Sequence, residues 1–567
     1  MSGAAVFAAT GRRPPRPRAK TGSPFTLARL ELLKVRGSSF WWMLLGMMLL
    51  VSAWAGMAFM KRAGSPVPAL RSAALADGEV YQVVSLLAPI LAALLTSRIA
   101  VLETSERMNL TWLSFGQSDA ARFVGKLIVA GTGVGLCFLI PLLWVPIAAK
   151  ALGFTVAGSF AALVWVPALT GFLSATATSA VQLMFSMMID KQAIGLGLGV
   201  IAGVLGSGLG AMNRPALGWL FPAGLSSAAS PFVRSVDAGG NATMLLAARP
   251  WMAVASAAMA FLGWTLVSMV VVKVKESRRT MTHANAVNPA TNPAINPAAN
   301  PAAGPSHAAM PRAHAAGRRR PSVWAAFRWE TRKAGNLWYW IVTVLFDAIG
   351  MFNGWSQYTG YQAEFARQGV TWAAIWGQAI LLPSMVFMPV LVAAFAAQVE
   401  ANEHRGRNWQ RLNAAGTVNA AIAGKMLHGL AASALTVLVF EAEFILVGRF
   451  AAGFDLAQLG PFLLRGIPLT LSVWAIMTLT QAVSAKAESF AGTMSVMMVL
   501  TIGGCALSLA APVVAGPYPL ALITSASAAR DLANIASPAS MLASTTAAAI
   551  WTAISALIFH RLAKQAV

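Results

Sequence analysis

Two short pairs in the sequence carry residue types that phosphate chemistry uses, Gly125-Lys126 and Gly424-Lys425. A phosphate-cradling loop needs the pattern G-x-x-x-x-G-K-[ST], in which backbone N–H groups wrap the phosphates and the lysine reaches the terminal one. Leu127 and Met426 stand where the hydroxyl belongs, and Ala120 and Asn419 replace the first glycine. Neither pair is a nucleotide site. Hydrolytic metal chemistry has no better footing, because His283, His307 and His314, three of the six histidines, fall in one low-complexity tract and no H-E-x-x-H occurs. Cys137 and Cys505 lie inside apolar runs and read as small buried hydrophobes. The sequence thus predicts no catalytic residue, no metal site and no cofactor held by this chain.

Carboxylates with an aromatic at fixed spacing are more informative. Glu103-Thr104-Ser105-Glu106 has Arg107 beside it and Trp112 six residues beyond Glu106; Glu400-Ala401-Asn402-Glu403 has Arg405 nearby and Trp409 six beyond Glu403. An aromatic anchor ringed by charge is the composition of an interface hot spot; a solvated loop is the alternative. Two amphipathic segments supply further acids and bases, Glu31 with Lys34 and Glu330 with Lys333, among apolar neighbours. That mixture suits a helix lying in a membrane interface, either as a passive anchor or as a docking platform. Asp347, Glu441 and Glu443 fall within apolar runs and have no matching acids in the first half. Ionisable groups at membrane depth are functional candidates. Here they predict either ion pairs with Arg449 or Arg465, or a pathway lining that favours cationic or amphipathic compounds.

The elements that must position these residues are membrane spans. Hydrophobic residues make up 57% of the chain and charged residues 11%, well short of the quarter expected of a soluble chain. Apolar runs of about twenty residues fit a helix crossing the hydrocarbon core, and they do not alternate as barrel strands would. Hydropathy predicts twelve transmembrane helices: 40–60, 83–102, 124–148, 160–189, 193–212, 251–272, 337–355, 373–399, 426–447, 467–483, 490–514 and 542–559. Gly195, Gly199 and Gly203 recur every four residues in the fifth and predict tight helix packing. The net charge of +23 is gathered in the N-terminal tail, the linker and a few short loops; this is the positive-inside pattern and gives no reason to expect nucleic acid. It predicts an inner-membrane protein with both termini in the cytoplasm, and places Asp77, Asp237, Glu364 and Asp531 in loops on the other side.

The chain divides into a basic tail (1–24), a six-helix repeat (25–279), a Pro/Ala/Asn-rich linker (280–320) and a second six-helix repeat (321–567). The landmarks recur at offsets of 297–299 residues: Glu31 and Lys34 with Glu330 and Lys333, Glu103 and Glu106 with Glu400 and Glu403, Gly125-Lys126 with Gly424-Lys425, and Pro222 with Pro519. A fixed period of this kind marks a duplication, and an even span count makes it a parallel 6+6 repeat.

These amphipathic segments, the Glu-rich loops ending in Gly125-Lys126 and Gly424-Lys425, and the proline-bearing segments around Pro222, Pro231, Pro519 and Pro538 resemble the permease subunits of ABC exporters of the ABC-2 superfamily. The likeness is to permeases of the antibiotic or multidrug export and lantibiotic-immunity type. The resemblance implies a permease moving an amphipathic or hydrophobic compound, such as a drug, peptide or lipid, outward across a bacterial cytoplasmic membrane. ATP and magnesium would be bound by two separate ABC ATPase subunits. It further implies that the loops at Glu103–Trp112 and Glu400–Trp409 couple to those ATPases, with Asp190, Lys191, Lys486 and Glu488 as secondary contacts. Family permeases are usually single six-helix units that pair; this chain departs from that in its predicted fusion. An ion-driven transporter of the 6+6 type is the alternative, and a membrane scaffold or sensor a third.

Overall fold

The structure, a computed structural model, describes residues 23–38, 40–64, 70–105, 117–188, 199, 202, 206, 215–236, 242–286, 322–333, 337–360 and 362–565. Of the expected site residues, Glu106, Arg107, Trp112, Asp190 and Lys191 lie outside the described residues, as does the side chain of Arg405.

The first half opens with α1 (Pro24–Val35). Ser23 caps it, accepting the Thr26 N–H at 3.3 Å, Pro24 fills the first turn, and Gly37 follows its end at φ 79°. Serine followed by proline is a strong start signal, because proline lacks only an N–H that would be unpaired there. There follow α2 (Phe40–Ala63), α3 (Ala73–Ser105), α4 (Asp119–Lys126), which runs through a π-turn at Leu127–Gly131 into α5 (Thr132–Ala151), and α6 (Phe160–Met188). The short α7 (Leu225–Ala228), the antiparallel pair β1 (Phe232–Val236) and β2 (Ala242–Leu246), and α8 (Trp251–Ala286) complete this half. The hairpin was not expected from the sequence.

The second half contains α9 (Val323–Lys333), α10 (Leu337–Gly360), α11 (Gln362–Gln368), and α12 (Trp372–Leu382), which passes through a π-turn at Pro383–Phe387 into α13 (Met388–Arg405). Next come α14 (Asn408–Ala414), α15 (Val418–Leu446), α16 (Gly460–Leu464), α17 (Gly466–Ala487), α18 (Phe490–Ala510), α19 (Pro512–Ala515), α20 (Leu522–Ser527) and α21 (Pro538–Gln565).

Among the described residues nine helical stretches are long and apolar enough to cross a membrane, and α3 makes a tenth if its two arms count as one span. Those arms, Ala73–Ser85 and Leu87–Ala100, meet at 44°. Pro89 explains the bend, since its ring collides with the carbonyl four residues back, that of Ser85, and removes the hydrogen bond to it. The protein is a helical membrane protein. The second span starts at Ala73, ten residues before the expected Val83, so Asp77 sits inside a helix and is fully buried; its assignment to an external loop was wrong. The polar residues Asp77 and Glu79 had lowered the local hydropathy and hidden the first arm.

One continuous buried core runs through both halves. They meet where α2 lies on α18: the Ser495 hydroxyl donates to the Met43 sulfur at 2.9 Å, and a Cβ on Gly46 would rest 3.7 Å from Val499. Of the expected glycine stripe only Gly199 is described; a Cβ there would lie 2.5 Å from Ala93, so it packs closely on α3.

Candidate functional site

The duplicated Gly-Lys pairs owe their residue types to helix packing and charge. α4 starts at Ser118, whose hydroxyl accepts the Ala121 N–H, and carries Gly125 into contact with α1. A Cβ on Gly125 would lie 3.0 Å from the Leu27 carbonyl and 3.1 Å from the Glu31 Cγ. On Gly424 it would meet Ala326 Cβ at 2.6 Å and the Phe327 nitrogen at 2.8 Å. Only glycine lets α9 approach this closely, and at Gly125 a Cβ would crowd α1. The lysine that follows then reaches the glutamate of the amphipathic helix.

In the first half Lys126 contacts Glu31 at 3.2 Å and Glu103 at 3.1 Å, and donates to the Ile99 carbonyl. Lys34 bonds both Glu31 and Glu103 at 2.7 Å, and Arg122 donates to Glu103 at 3.1 Å and to Asp119. Three cations thus meet three carboxylates around two fully buried glutamates. Burial alone would raise the Glu103 carboxyl, but Lys126, Lys34 and Arg122 outweigh it and hold it below its ordinary value.

The second half builds the same cluster. Lys425 contacts Glu330 at 3.1 Å, Glu400 at 3.2 Å and Glu403 at 3.1 Å; Lys333 bonds Glu330 at 3.2 Å and Glu403; and the Asn408 amide donates to Glu403 at 2.8 Å. Ala421 faces no acid where Arg122 serves the first cluster, so two lysines answer three carboxylates among the described residues. In both halves the cluster ties the amphipathic helix to the end of the second span and the start of the third.

This placement changes the expected roles. Glu31, Glu103, Glu330, Glu400 and Glu403 are buried inside the chain, so they hold elements together and present nothing to a partner. Trp409, expected as an exposed anchor, is 2% exposed. Its ring meets Phe559 edge-on at 5.6 Å and sits beneath the Lys425 ammonium, also at 5.6 Å. The Asn413 amide donates to the Ala563 carbonyl at 2.9 Å, fixing α14 to the end of α21. At α14 the exposed polar side chains are Arg407, just before the helix, and Gln410 and Arg411 on it, and Lys486 and Glu488 are exposed at the end of α17. Arg407 and Glu488 both take left-handed backbone, at φ 50° and 55°.

The intramembrane acids do not form the expected ion pairs. Arg465 staples the segment after α20, donating to the Ile535 carbonyl at 2.9 Å, the Ala526 carbonyl at 3.3 Å, the Ser540 hydroxyl at 3.2 Å and the Asn534 carbonyl. Arg449 donates to the Phe454 carbonyl. With four acceptor oxygens around its guanidinium, Arg465 has no call for a carboxylate. Glu441 and Glu443 each keep an oxygen without a hydrogen-bond partner among the described residues, as Asp347 does with both of its own. Glu443 lies within electrostatic reach of Asp347, and on the same helix Phe440 and Phe444 pack edge-on against Trp376, with Phe444 also on Trp372. Asp77 is a further buried acid of this kind, missed from sequence.

The proline-bearing segments are tied in alike. Tyr81 of the second span donates to the Ser226 carbonyl at 2.9 Å, and Trp376 of the eighth to the Ser527 carbonyl at 2.9 Å.

Residues 27–206 match the family described as ABC-2 family transporter protein, a stretch running from α1 through α6 and carrying the whole first ion cluster. A comparison with curated proteins gave no match.

Proposed function

We propose that this chain, whose residues 27–206 match the ABC-2 transporter family, is a membrane subunit of an ABC transporter and forms a complete exporter membrane domain from two fused permease units. The observation that carries this reading is the pair of ion clusters. Each joins an amphipathic helix, the end of the second span and the start of the third through the same Glu, Lys and Gly-Lys residues. A rigid joint at that place is what a loop needs if it is to transmit a push from below into the spans.

Two ATPase subunits then dock on the side of α1 and α9, and α14 meets one of them through Arg407, Gln410 and Arg411, with Lys486 and Glu488 alongside. Residues 106–116 would serve the same purpose in the first half. ATP and magnesium belong to those partners, and the cargo is an amphipathic or hydrophobic compound such as an antibiotic, peptide or lipid, moved outward across a bacterial cytoplasmic membrane. Asp347, Glu441 and Glu443, acids at membrane depth with unpartnered oxygens among the described residues, favour compounds bearing a positive charge. Replacing Glu443 with Gln should weaken export of cationic compounds more than neutral ones.

Arg407→Glu with Arg411→Glu tests the docking face without touching the buried cluster. Loss of ATPase co-purification and of stimulated hydrolysis is the expected result. Normal association in that double variant would remove the assignment. The buried acids Asp77 and Asp347 favour a second reading, an ion-driven carrier, because such carriers use intramembrane carboxylates as proton relays. Transport that collapses with an uncoupler at intact ATP would select it.

A further inference from the structure

We propose that the outward faces of α1 and α9 bind anionic phospholipid headgroups, and that lipid charge thereby sets the position of the coupling joint. On α9, the buried Glu330 marks the inward side. Arg328 and Arg332 lie opposite it on the helix, flanked by Trp324 (54% exposed) and Trp329 (61% exposed). The Arg328 guanidinium lies 5.4 Å from the Trp324 ring centre, which holds the charge at the edge of an apolar surface. α1 repeats the arrangement: opposite Glu31 stand Arg29 and Leu33 (54% exposed), with Phe25 (86% exposed) and Arg36 near them.

Four features single out a lipid surface as the occupant. Each helix is followed within a few residues by a membrane span, α2 or α10, so it lies at headgroup depth. Exposed tryptophan and phenylalanine at that depth are interfacial anchors. Among the described residues each outward face carries cations and no acid, since all the glutamates of α1 and α9 turn inward. Flanking sequence adds Arg12, Arg13, Arg16, Arg18 and Lys20 before α1, and Arg312, Arg318, Arg319 and Arg320 before α9. Basic clusters beside a span are attracted to an anionic leaflet.

The inward face supplies the consequence. Glu31 and Glu330 grip Lys126 and Lys425, which hold the second and third spans at the loop between them. A displacement of either amphipathic helix by its headgroups therefore moves the coupling joint. This regulatory step rests on the exporter reading; the lipid site itself does not.

The test uses the chain alone and the chain with its ATPase subunits, each in nanodiscs of phosphatidylcholine with or without phosphatidylglycerol at about one lipid in three. For the chain alone, phosphatidylglycerol retained after detergent extraction is quantified by mass spectrometry. Wild type should retain it several-fold over phosphatidylcholine, an excess that high salt removes. A variant with Arg29→Gln, Arg36→Gln, Arg328→Gln and Arg332→Gln should lose most of the excess, and the corresponding four Arg→Lys changes should keep it, which separates lost charge from lost folding. In the complex, phosphatidylglycerol should raise ATPase activity several-fold in wild type and in the Lys variant but hardly at all in the Gln variant. Equal lipid retention by wild type and the Gln variant would overturn the proposal. So would loss of the ATPase subunits from the Gln variant with lipid retention unchanged, because the face would then belong to a protein partner. If wild type binds no ATPase at all, the exporter reading fails while the lipid measurement still decides the site.

Discussion

Replacing Lys425 with Met removes one charge from the most crowded buried contact in the second half. The ammonium is 1% exposed and lies 3.1–3.2 Å from Glu330, Glu400 and Glu403. At an effective dielectric of about 20, each such contact is worth roughly 5 kcal/mol before desolvation, and the cost of burying the charges offsets most of that. What survives in breaking a buried ion pair from one side is about 3–5 kcal/mol, because the stranded carboxylates keep their burial and lose their counter-charge. Here Lys333 alone would remain for three acids. Met keeps the volume, so cavity formation adds little. For a unit of this size, each kcal/mol moves a melting midpoint by about 2–4 °C, so Lys425→Met should lower it by roughly 6–20 °C. Detergent-purified protein can be followed by static light scattering or a thiol-reactive dye, with Lys486→Met as the exposed control, expected to shift by less than about 2 °C. Adding Glu403→Gln to Lys425→Met should restore part of the loss, since it removes one uncompensated charge. A midpoint for Lys425→Met that matches the Lys486 control would refute the idea that this cluster holds the joint together.

Gly424→Val should push α9 off α15, because its Cβ would fall 2.6–2.8 Å from Ala326 and Phe327 atoms that include backbone; ATPase activity should persist while its link to transport is lost, read by comparing hydrolysis with vesicle uptake. The first cluster should weaken in acid. Glu103 is held below its ordinary carboxyl value, so its stabilising contribution is present above the unfolded pKa near 4.3 and disappears as the pH falls through the lower folded value; midpoints measured from pH 7 down to pH 3 should show an acid slope that Glu103→Gln flattens. Arg465→Met strands the carbonyls of Ala526, Asn534 and Ile535 and should cost about 2–4 kcal/mol, with transport lost at a temperature where the protein is still folded. Ala528 adopts φ 52° at the end of α20; Ala528→Gly should raise the stability slightly, by about 0.5–1 kcal/mol of relieved backbone strain, read as a small upward shift of the midpoint.

The helical membrane class and the periodic landmarks could be read from the chain because both are local: a run of apolar residues specifies a membrane helix wherever it packs, although nine such helices, or ten with the bent pair, stand among the described residues where twelve were expected. The spacing also singled out Glu31, Lys34, Glu103, Glu330, Lys333, Glu400 and Glu403, which all belong to the buried clusters. Their mode of action was not. Lys34 finds Glu103 across 69 positions and Lys126 finds Glu31 across 95, and no window on the sequence tells a buried ion pair from two solvated charges. Trp409 misled for the same reason: its partner Phe559 is supplied by the last helix. Arg465 looked like a match for Glu441 because charge suggests charge, whereas its acceptors are carbonyls freed at the breaks around α20. The early start of the second span was recoverable, because Pro89 signals a bend and hence a longer helix before it.

The seam between α2 and α18 bears on whether the halves are interchangeable. Gly46 gives Val499 room at that crossing, with Met43 against Ser495 one turn away. Across the corresponding register, offset by 297–299 residues, the second half carries Thr343, Val344 and Leu345, none of them glycine. A bare Cβ would fit at this crossing at ordinary contact distance, so it is the longer side chains of Thr343, Val344 and Leu345 that would make the seam pack differently between two copies of the second half. Cut at the linker and produced as separate pieces, the halves should therefore reassemble as a mixed pair in preference to a pair of second halves. The two sides of this seam are built from different residue types, so the halves are distinct parts here and not copies of one surface.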